Sequence, residues 1–338
     1  MEHTAAAAVL AAGLGILAVL LGGAALWQTA RLKKLRRDMD GVQAVRETAA
    51  AWGEGSDTLR RLLPAVLLGA LNLKSLSDLS LNAFREMNGV ILRADVAGFD
   101  RKLRLMDTQR AYELINRIME GCVPPVYENG GEIIDFVNGG FEALFLSGYA
   151  GALDGAVTMC EYVREQEREH GEYKDFGIGI CYGPVMAGVV GHPRRMALSM
   201  LSVYTGFAAF LQSIAGKYYA RILVTGNYAQ LNGQFDRQFH YRLLGYISVR
   251  SANTVEKIYD VFDGDPVEVR NQKRRTKTAF EKGVKVFAEG DFPQARVCFI
   301  EVLKTDQQDL AARRYVHLCE KNLEARQRGE ADIYIEAY

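Results

Sequence analysis

From Ala5 to Trp27 the chain carries no charged residue. At about 1.5 Å per helical residue, the run AAAAVLAAGLGILAVLLGGAALW is long enough to cross ~30 Å of hydrocarbon, which predicts a transmembrane helix over 5–27. A secretory signal peptide is the competing reading, but it wants positive charge ahead of the apolar stretch, and here only Glu2 and His3 precede it. Arg31, Lys33, Lys34, Arg36 and Arg37 follow the span directly. That basic flank predicts a single-pass protein of the cytoplasmic membrane, its N-terminus outside and everything downstream in the cytoplasm. The cluster could also recruit anionic lipid, although a stop-transfer flank is the simpler account. Cys122, Cys160, Cys181, Cys298 and Cys319 are odd in number and scattered, with neither metal-like pairing nor a disulfide framework, and read as buried thiols in a reducing compartment.

With 338 residues the chain has room for about two domains. Its 41 basic and 41 acidic residues cancel, so no surplus of positive charge is available to neutralise phosphates, and nucleic acid is not an expected partner. Residues 28–58 are polar and Ala-rich, interrupted by Gly53 and Gly55, and read as a juxtamembrane linker. Beyond them GVILRADV predicts a strand closed by a Gly98-Phe99 turn, then a helix carrying Leu103, Leu105, Met106, Tyr112, Leu114, Ile115 and Ile118. GGEIIDFVNGGFEALF predicts two strands about Asn138-Gly139, a turn pair that accepts positive φ. A helix over roughly Ala150 to Glu169 precedes strand FGIGIC, a turn at Tyr182-Gly183-Pro184 and strand VMAGVVG. A helix over Thr205 to Ala215, a short strand RILVT and a hairpin of YRLLGYISV with EKIYDVFDG complete the pattern. Hairpins mixed with helical crossovers make an α+β domain with an antiparallel-rich sheet.

These residues resemble a known family. RLLPAVLLGALNLKSL leading to GVILRADVAGFD is similar to the entry of class III adenylate and guanylate cyclase domains, where a Leu-Pro helix leads to a strand ending in Asp-Ile-x-Gly-Phe-Thr. GGEIIDFVNGGFEALF resembles the family hairpin Gly-Gly-x-x-x-Lys-Phe-x-Gly-Asp-Gly, and GIGICYGPVMAGVVG its Gly-Ile-x-x-Gly-x-Val-x-x-Gly-x-x-Gly segment. The likeness runs in unbroken order from about Leu59 to Asp263 and implies a ferredoxin-like palm over 59–264. A diguanylate cyclase would need an acidic pair where Ile133 and Ile134 stand.

The resemblance also says what the chemistry requires. Cyclising a nucleoside triphosphate takes two metal ions and therefore paired carboxylates on neighbouring strand ends. Asp95 matches the first, and the Val96 carbonyl could lend an oxygen, but the second falls on Gly139. Asp135 stands at the family's purine-contacting Lys, and Ala197 near the second purine-reading position. The Asn that orients the ribose and the Arg that neutralises charge at the α-phosphate fall on Gly206 and Phe210. Losing one such donor typically costs about 3 kcal/mol of transition-state stabilisation, and here several are lost in both halves of a composite site. The resemblance therefore implies a catalytically silent, pseudoenzyme-like site. No cofactor is expected, with Mg or Mn entering only if a nucleotide binds. Asp95 alone reads as a low-grade metal ligand or, more simply, as a strand-end cap. Arg194 and Arg195 are expected on a solvated Pro193 loop, while His192 and His240 lack nearby partners for metal or acid–base work and read as surface or satisfied histidines.

Gly283, Gly290, Phe292, Ala295 and Phe299 stand at the spacing of one tetratricopeptide helix pair, and a further helix from Leu310 to about Arg326 gives a tetratricopeptide-like extension over 272–330. One repeat cannot bury its own apolar face, so it should pack on the cyclase-like domain, on a second copy or on a protein partner. RNQKRRTK ahead of it reads as a solvated linker. The whole reads as a membrane-anchored, degenerate cyclase-like chain acting by dimerisation, with itself or a related chain, through a face bearing Tyr204, Phe207 and Phe210. An active cyclase with an atypical site and a nucleotide sensor without turnover are the alternatives.

Overall fold

Strand β1 (Phe84–Val96) sorts its side chains by parity, and that sorting builds the domain. Val90, Leu92, Ala94 and Val96 enter one core, Ile91 enters another on the opposite face of the sheet, and all five are buried. Each such aliphatic burial contributes about 1.5–3 kcal/mol, so the sheet needs helical cover on both faces.

The computed structural model describes residues 62–73, 78–137, 139–171, 175–231, 235–249, 254–326 and 330–338. The expected span at 5–27 and linker at 28–58 lie outside the described residues, among which no helix is long and apolar enough to cross a membrane. In chain order come α1 (Ala65–Ala70), β1, α2 (Phe99–Leu103), α3 (Thr108–Cys122), α4 (Pro124–Glu128), β2 (Glu132–Val137), β3 (Gly140–Phe145) and α5 (Gly151–His170). Then follow β4 (Phe176–His192), β5 (Arg195–Leu201), α6 (Val203–Ala215), β6 (Ile222–Thr225), α7 (Gly226–Leu231), α8 (Phe235–Gln238), β7 (Tyr241–Val249) and β8 (Thr254–Val261). Helices α9 (Val267–Ala288), α10 (Phe292–Thr305) and α11 (Leu310–Arg326) lead to β9 (Glu336–Ala337). The sheet runs β2-β3-β1-β4-β6-β8-β7-β9, with β5 paired to the outer half of β4. Its pairs are antiparallel except β4 with β6 and β7 with β9.

Helices α3 and α5 cover the face of Val90 and Leu92 through Leu114, Ile118, Leu153, Met159 and Val163. Helix α6 lies on the other face with Phe207, Ala208 and Leu211. It lies close because β4 is glycine-rich beneath it: a Cβ on Gly179 would come within 2.1 Å of the Ala208 carbonyl oxygen. The glycines of GIGICYG thus set the depth at which α6 seats.

Several expectations give way. The turn expected at Tyr182-Gly183-Pro184 does not form; β4 runs unbroken through it. Pro184 falls between the stretch of β4 paired to β6 and the stretch paired to β5, where a missing N–H is tolerated. The chain turns instead at Pro193-Arg194, and Arg195, expected on a loop, opens β5, an element without an alternating signal strong enough to announce it. In the helix expected after Phe99, Leu103, Leu105 and Tyr112 are exposed. The Asp107 carboxylate accepts from the Arg110 N–H and restarts the helix in a new phase, with Ala111, Leu114 and Ile118 inward. RNQKRRTK is not a linker: it lies within α9, with Lys273 and Thr276 buried.

The three helices of the extension pack on the cyclase-like domain. Phe280, Phe287, Phe299 and Tyr315 share one core with Leu243, Leu244 and Ile247 of β7, so the apolar face that one helix pair cannot bury alone closes on the sheet. All five cysteines are buried free thiols, and burial pushes Cys160 and Cys319 up to about 12.

At the other end of the sheet, α1 begins at Pro64 without a side-chain cap of its own, and Glu132 of β2 supplies one, its Oε2 accepting from the Val66 N–H at 2.9 Å. Burial raises the Glu132 carboxyl to about 7, against the pull of the backbone N–H groups of Val66 and Ala65. A folded-state value above the unfolded one means the folded chain keeps a proton that the unfolded chain releases, so stability is lost as pH rises from about 4.5 through about 7. We expect Glu132→Gln to remove about 2 kcal/mol of pH dependence between pH 5 and 8. Parallel unfolding curves of wild type and variant across that range check it, and identical pH dependences would refute it.

Candidate functional site

Asp95 closes β1 on the α6 side of the sheet, two residues after Arg93, so strand periodicity puts both side chains on one face. They form an ion pair, Arg93 Nη2 to Asp95 Oδ2 at 2.7 Å, and Arg93 Nη1 lies 3.8 Å from Glu142 Oε1 on β3. The Arg93 guanidinium thus stands between two carboxylates. Asp95 is no helix cap, as the simpler sequence reading had it; Gly98, at φ 71°, begins α2 without a side-chain cap. Burial raises the Asp95 carboxyl, Arg93 acts against this, and Oδ1 is buried without a hydrogen-bond partner. The Asp95 backbone carbonyl accepts from Gln212 Nε2 of α6 at 2.9 Å, tying the strand end to the helix.

Gly139 sits buried at the β2–β3 hairpin, which closes with Val137 paired to Gly140; Asn138 lies outside the described residues. A Cβ on Gly139 would meet Phe99 Cγ at 2.5 Å. Phe99, which matches the Phe of the family's Asp-Ile-x-Gly-Phe-Thr pattern, is itself buried in the core on the α3 and α5 side. One carboxylate already paired with a guanidinium, and a glycine at the second position, do not fit a pair of divalent cations. Among the described residues no group of three or more His, Cys, Asp or Glu side chains could hold a metal.

Beside Asp95 a cleft of about 510 Å³ is lined by Asp95, Asp100 and Asp175 and by Arg101, Lys102 and Lys217. Three carboxylates against three cations give no net positive field to draw in a polyanion. Lys102 also pairs with Asp175 at 3.2 Å.

The two purine-contact positions do come together. Asp135 on β2 and Ala197 on β5 are exposed and line one groove of about 470 Å³, with Ile134, Glu142, Arg195 and Met196. Asp135 pairs in register with Glu142, and its charge is among the causes that raise Glu142, after burial. The groove's polar end is acidic where the family presents a cation.

Gly206 and Phe210 lie one turn apart on α6 beneath Tyr338, whose ring centroid is 5.1 Å from Phe207 and 5.2 Å from Phe210. Of the three residues expected on the dimer surface, Phe207 is buried in the chain's own core, and Tyr204 and Phe210 are half-buried against it, because α6 seats deeply on the glycines of β4. His240 has a partner that its sequence neighbours do not suggest, Asp263 Oδ1 at 2.7 Å from Nδ1.

Arg93, Glu142 and Tyr338 are the residues sequence reasoning missed. Arg93 and Asp95 carry a readable signal, opposite charges at i and i+2 of a strand. The other two meet the site only through tertiary pairing.

Over 243 residues, 69% of the chain, the sequence is 21% identical to the terminal-differentiation-specific adenylate cyclase of Dictyostelium discoideum, and the match spans 11% of that protein. Among solved structures, a bacterial light-regulated adenylyl cyclase superposes with a TM-score of 0.54 at 18% identity, covering 65% of this chain and 64% of that one. A second such structure gives 0.53 at 16% identity, over 70% of each chain. No protein-family model matches this chain. The likeness is one of fold: the mixed α/β domain has the class III cyclase architecture.

Proposed function

We propose that this chain is a membrane-anchored, degenerate class III cyclase-like protein that acts by association, as a scaffold or regulatory module, without turning over nucleotide. The observation that carries the reading is the metal half: Asp95, the one family metal position that keeps its carboxylate, is paired with Arg93, and Gly139 stands at the other. Gly206 and Phe210 supply no donor in the other half, and the acidic purine groove and charge-balanced cleft add no attraction for a nucleoside triphosphate. The anchor rests on the uncharged run at 5–27 and the basic flank behind it. The partner is a second cyclase-like chain, a copy of this one or a relative, with the helical extension as a further surface for protein. Mg or Mn has a role only alongside a nucleotide.

Purified full-length protein, incubated with ATP or GTP and either Mg²⁺ or Mn²⁺, is expected to form no cyclic AMP or cyclic GMP above background. Turnover that disappears in Asp95→Ala would overturn silence and establish an active, atypical cyclase. Saturable nucleotide binding without product would establish a sensor instead.

A further inference from the structure

The charged stretch RNQKRRTK divides its residues between two faces of α9. Lys273 and Thr276 are buried, and Lys277 Nζ lies 4.0 Å from the centre of the Tyr241 ring. Arg274 and Arg275 are exposed, and so are Lys282 and Lys285, two and three turns further on. With 3.6 residues per turn, these four fall with Asn271 and Thr278 within about one third of the helix circumference, in a stripe about 16 Å long. Acidic residues stand only beyond its ends, Glu268 in the first turn and Glu289 at the C-cap. Glu281, at its flank, is turned to the sheet, where its Oε1 accepts from the Leu243 N–H at 2.8 Å and lies 3.8 Å from Lys277 Nζ.

None of the four stripe cations has an ion-pair partner among the described residues. The exposed cations of neighbouring α10 do pair, Arg296 with Glu320 at 3.1 Å and Lys304 with Glu301 at 2.9 Å. A helix face that only has to stay in water is best served by both signs interspersed, whereas a stripe of one sign is complementary to a surface of the other. Two features favour lipid as that surface over nucleic acid or an acidic protein. Val267, 54% exposed, continues the face at its N-terminal end, and an apolar side chain there suits the boundary between headgroups and acyl chains. The chain also carries a second basic run, Arg31 to Arg37, behind its uncharged span, so an anchored chain holds this domain beside an anionic leaflet. Tethering raises the local concentration of that leaflet, and a site of modest affinity then suffices.

We propose that the outer face of α9 is a docking surface for an anionic bilayer, with Arg274, Arg275, Lys282 and Lys285 on the lipid phosphates and carboxylates. The proposal rests on the membrane-anchored reading above and gives the tethered domain an orientation, α9 against the leaflet.

The test reconstitutes full-length protein, as wild type and as Arg274→Gln/Arg275→Gln, with vesicles of phosphatidylcholine alone or with about one third phosphatidylserine. Flotation reports retention in the bilayer, circular dichroism the fold, and acetylation of Lys282 and Lys285, read by mass spectrometry, the covering of the stripe. Both lysines are expected to react at least fivefold more slowly with phosphatidylserine present. The difference is expected to vanish in about 1 M salt, where the screening length is ~3 Å, and to fall below twofold in the double variant. Equal rates in the two lipids would overturn the docking surface, and where the protein floats with both vesicles the anchor stands. Protein that floats only with the anionic vesicles and shows slowed lysines would uphold the surface and overturn the anchor, and protein that floats with neither would overturn both. Slowing that persists in a folded double variant, or that added RNA or an acidic peptide produces where lipid does not, would also refute the assignment. If the double variant fails to fold, the wild-type comparison between the two lipids decides.

Discussion

Asp309→Ala is expected to lower the unfolding free energy by about 3–5 kcal/mol, the usual cost of removing one partner from a buried ion pair. Asp309 ends the connection between α10 and α11, and its Oδ2 lies 2.5 Å from Arg242 Nη1 on β7. Arg242 is 1% exposed, with its Nε also bonded to Asp260 Oδ2 at 3.0 Å and its guanidinium 4.0 Å from the centre of the Phe280 ring. Lys273 of α9 completes the cluster with Asp260 at 2.9 Å and Asp265 at 2.7 Å. Deleting Asp309 leaves the buried Arg242 guanidinium with Asp260 as its remaining carboxylate, and it removes the acceptor at the start of α11, where Oδ1 takes the Ala312 N–H at 3.0 Å. Burial pushes the Asp309 carboxyl up, but Arg242 and the Ala312 N–H more than offset this and hold it below its ordinary value. A folded-state value below the unfolded one contributes stability that is present at neutral pH and lost as pH falls through the folded value. Asp309→Asn keeps the helix-start acceptor and should lose less than Asp309→Ala. Guanidinium-induced unfolding at neutral pH measures both, and a loss under about 1 kcal/mol for the Ala variant would show that the cluster is effectively solvated.

Tyr315→Ala should cost a similar amount, about 3–5 kcal/mol, by leaving a large cavity where four aromatic rings meet. Its ring stacks on Phe299 at 4.3 Å between centroids and meets Phe280 and Phe287 edge-on at 5.8 and 5.2 Å. Its hydroxyl has a separate task. The β7–β8 register slips between Leu243 and Gly245, which takes Leu244 out of the pairing, and Tyr315 Oη donates to the Leu244 carbonyl at 2.6 Å. Tyr315→Phe keeps the rings and deprives that carbonyl of its donor, so a loss of about 1–3 kcal/mol is expected. The two variants separate packing from hydrogen bonding: if Tyr315→Phe matched Tyr315→Ala, the rings would count for little and the cavity account would fail.

How much of this was legible depended on whether the signal was local. The β2–β3 hairpin is written in the Asn138-Gly139 turn pair and the α10 helix in the spacing of Phe292, Ala295 and Phe299, and the unbroken order of motifs carried the cyclase-like architecture. Gly139 and Phe210 were legible as replacements, because a missing carboxylate or guanidinium is visible by itself. What stood over Gly206 was not: Tyr338 reaches it from 132 positions along the chain. RNQKRRTK misled for the opposite reason. Charge density suggested solvent, yet Lys273 is buried because Asp260 of β8 and Asp265 of the β8–α9 connection were waiting for it.

The docking of the extension on β7 bears on how such a chain can be inherited. The motifs invite a cut near residue 264, as if a catalytic-type module ended there and an adaptor began. A gene fragment ending at that cut would encode a sheet whose Leu244, Ile247 and Ile258 face water and whose Arg242 has lost Asp309. Recombination that traded the extension for another adaptor would therefore deliver a misfolding chain, as would recombination that lent it to another protein. The two parts are bound to descend together, and a lineage could shed the extension only after repacking the face of the sheet it covers.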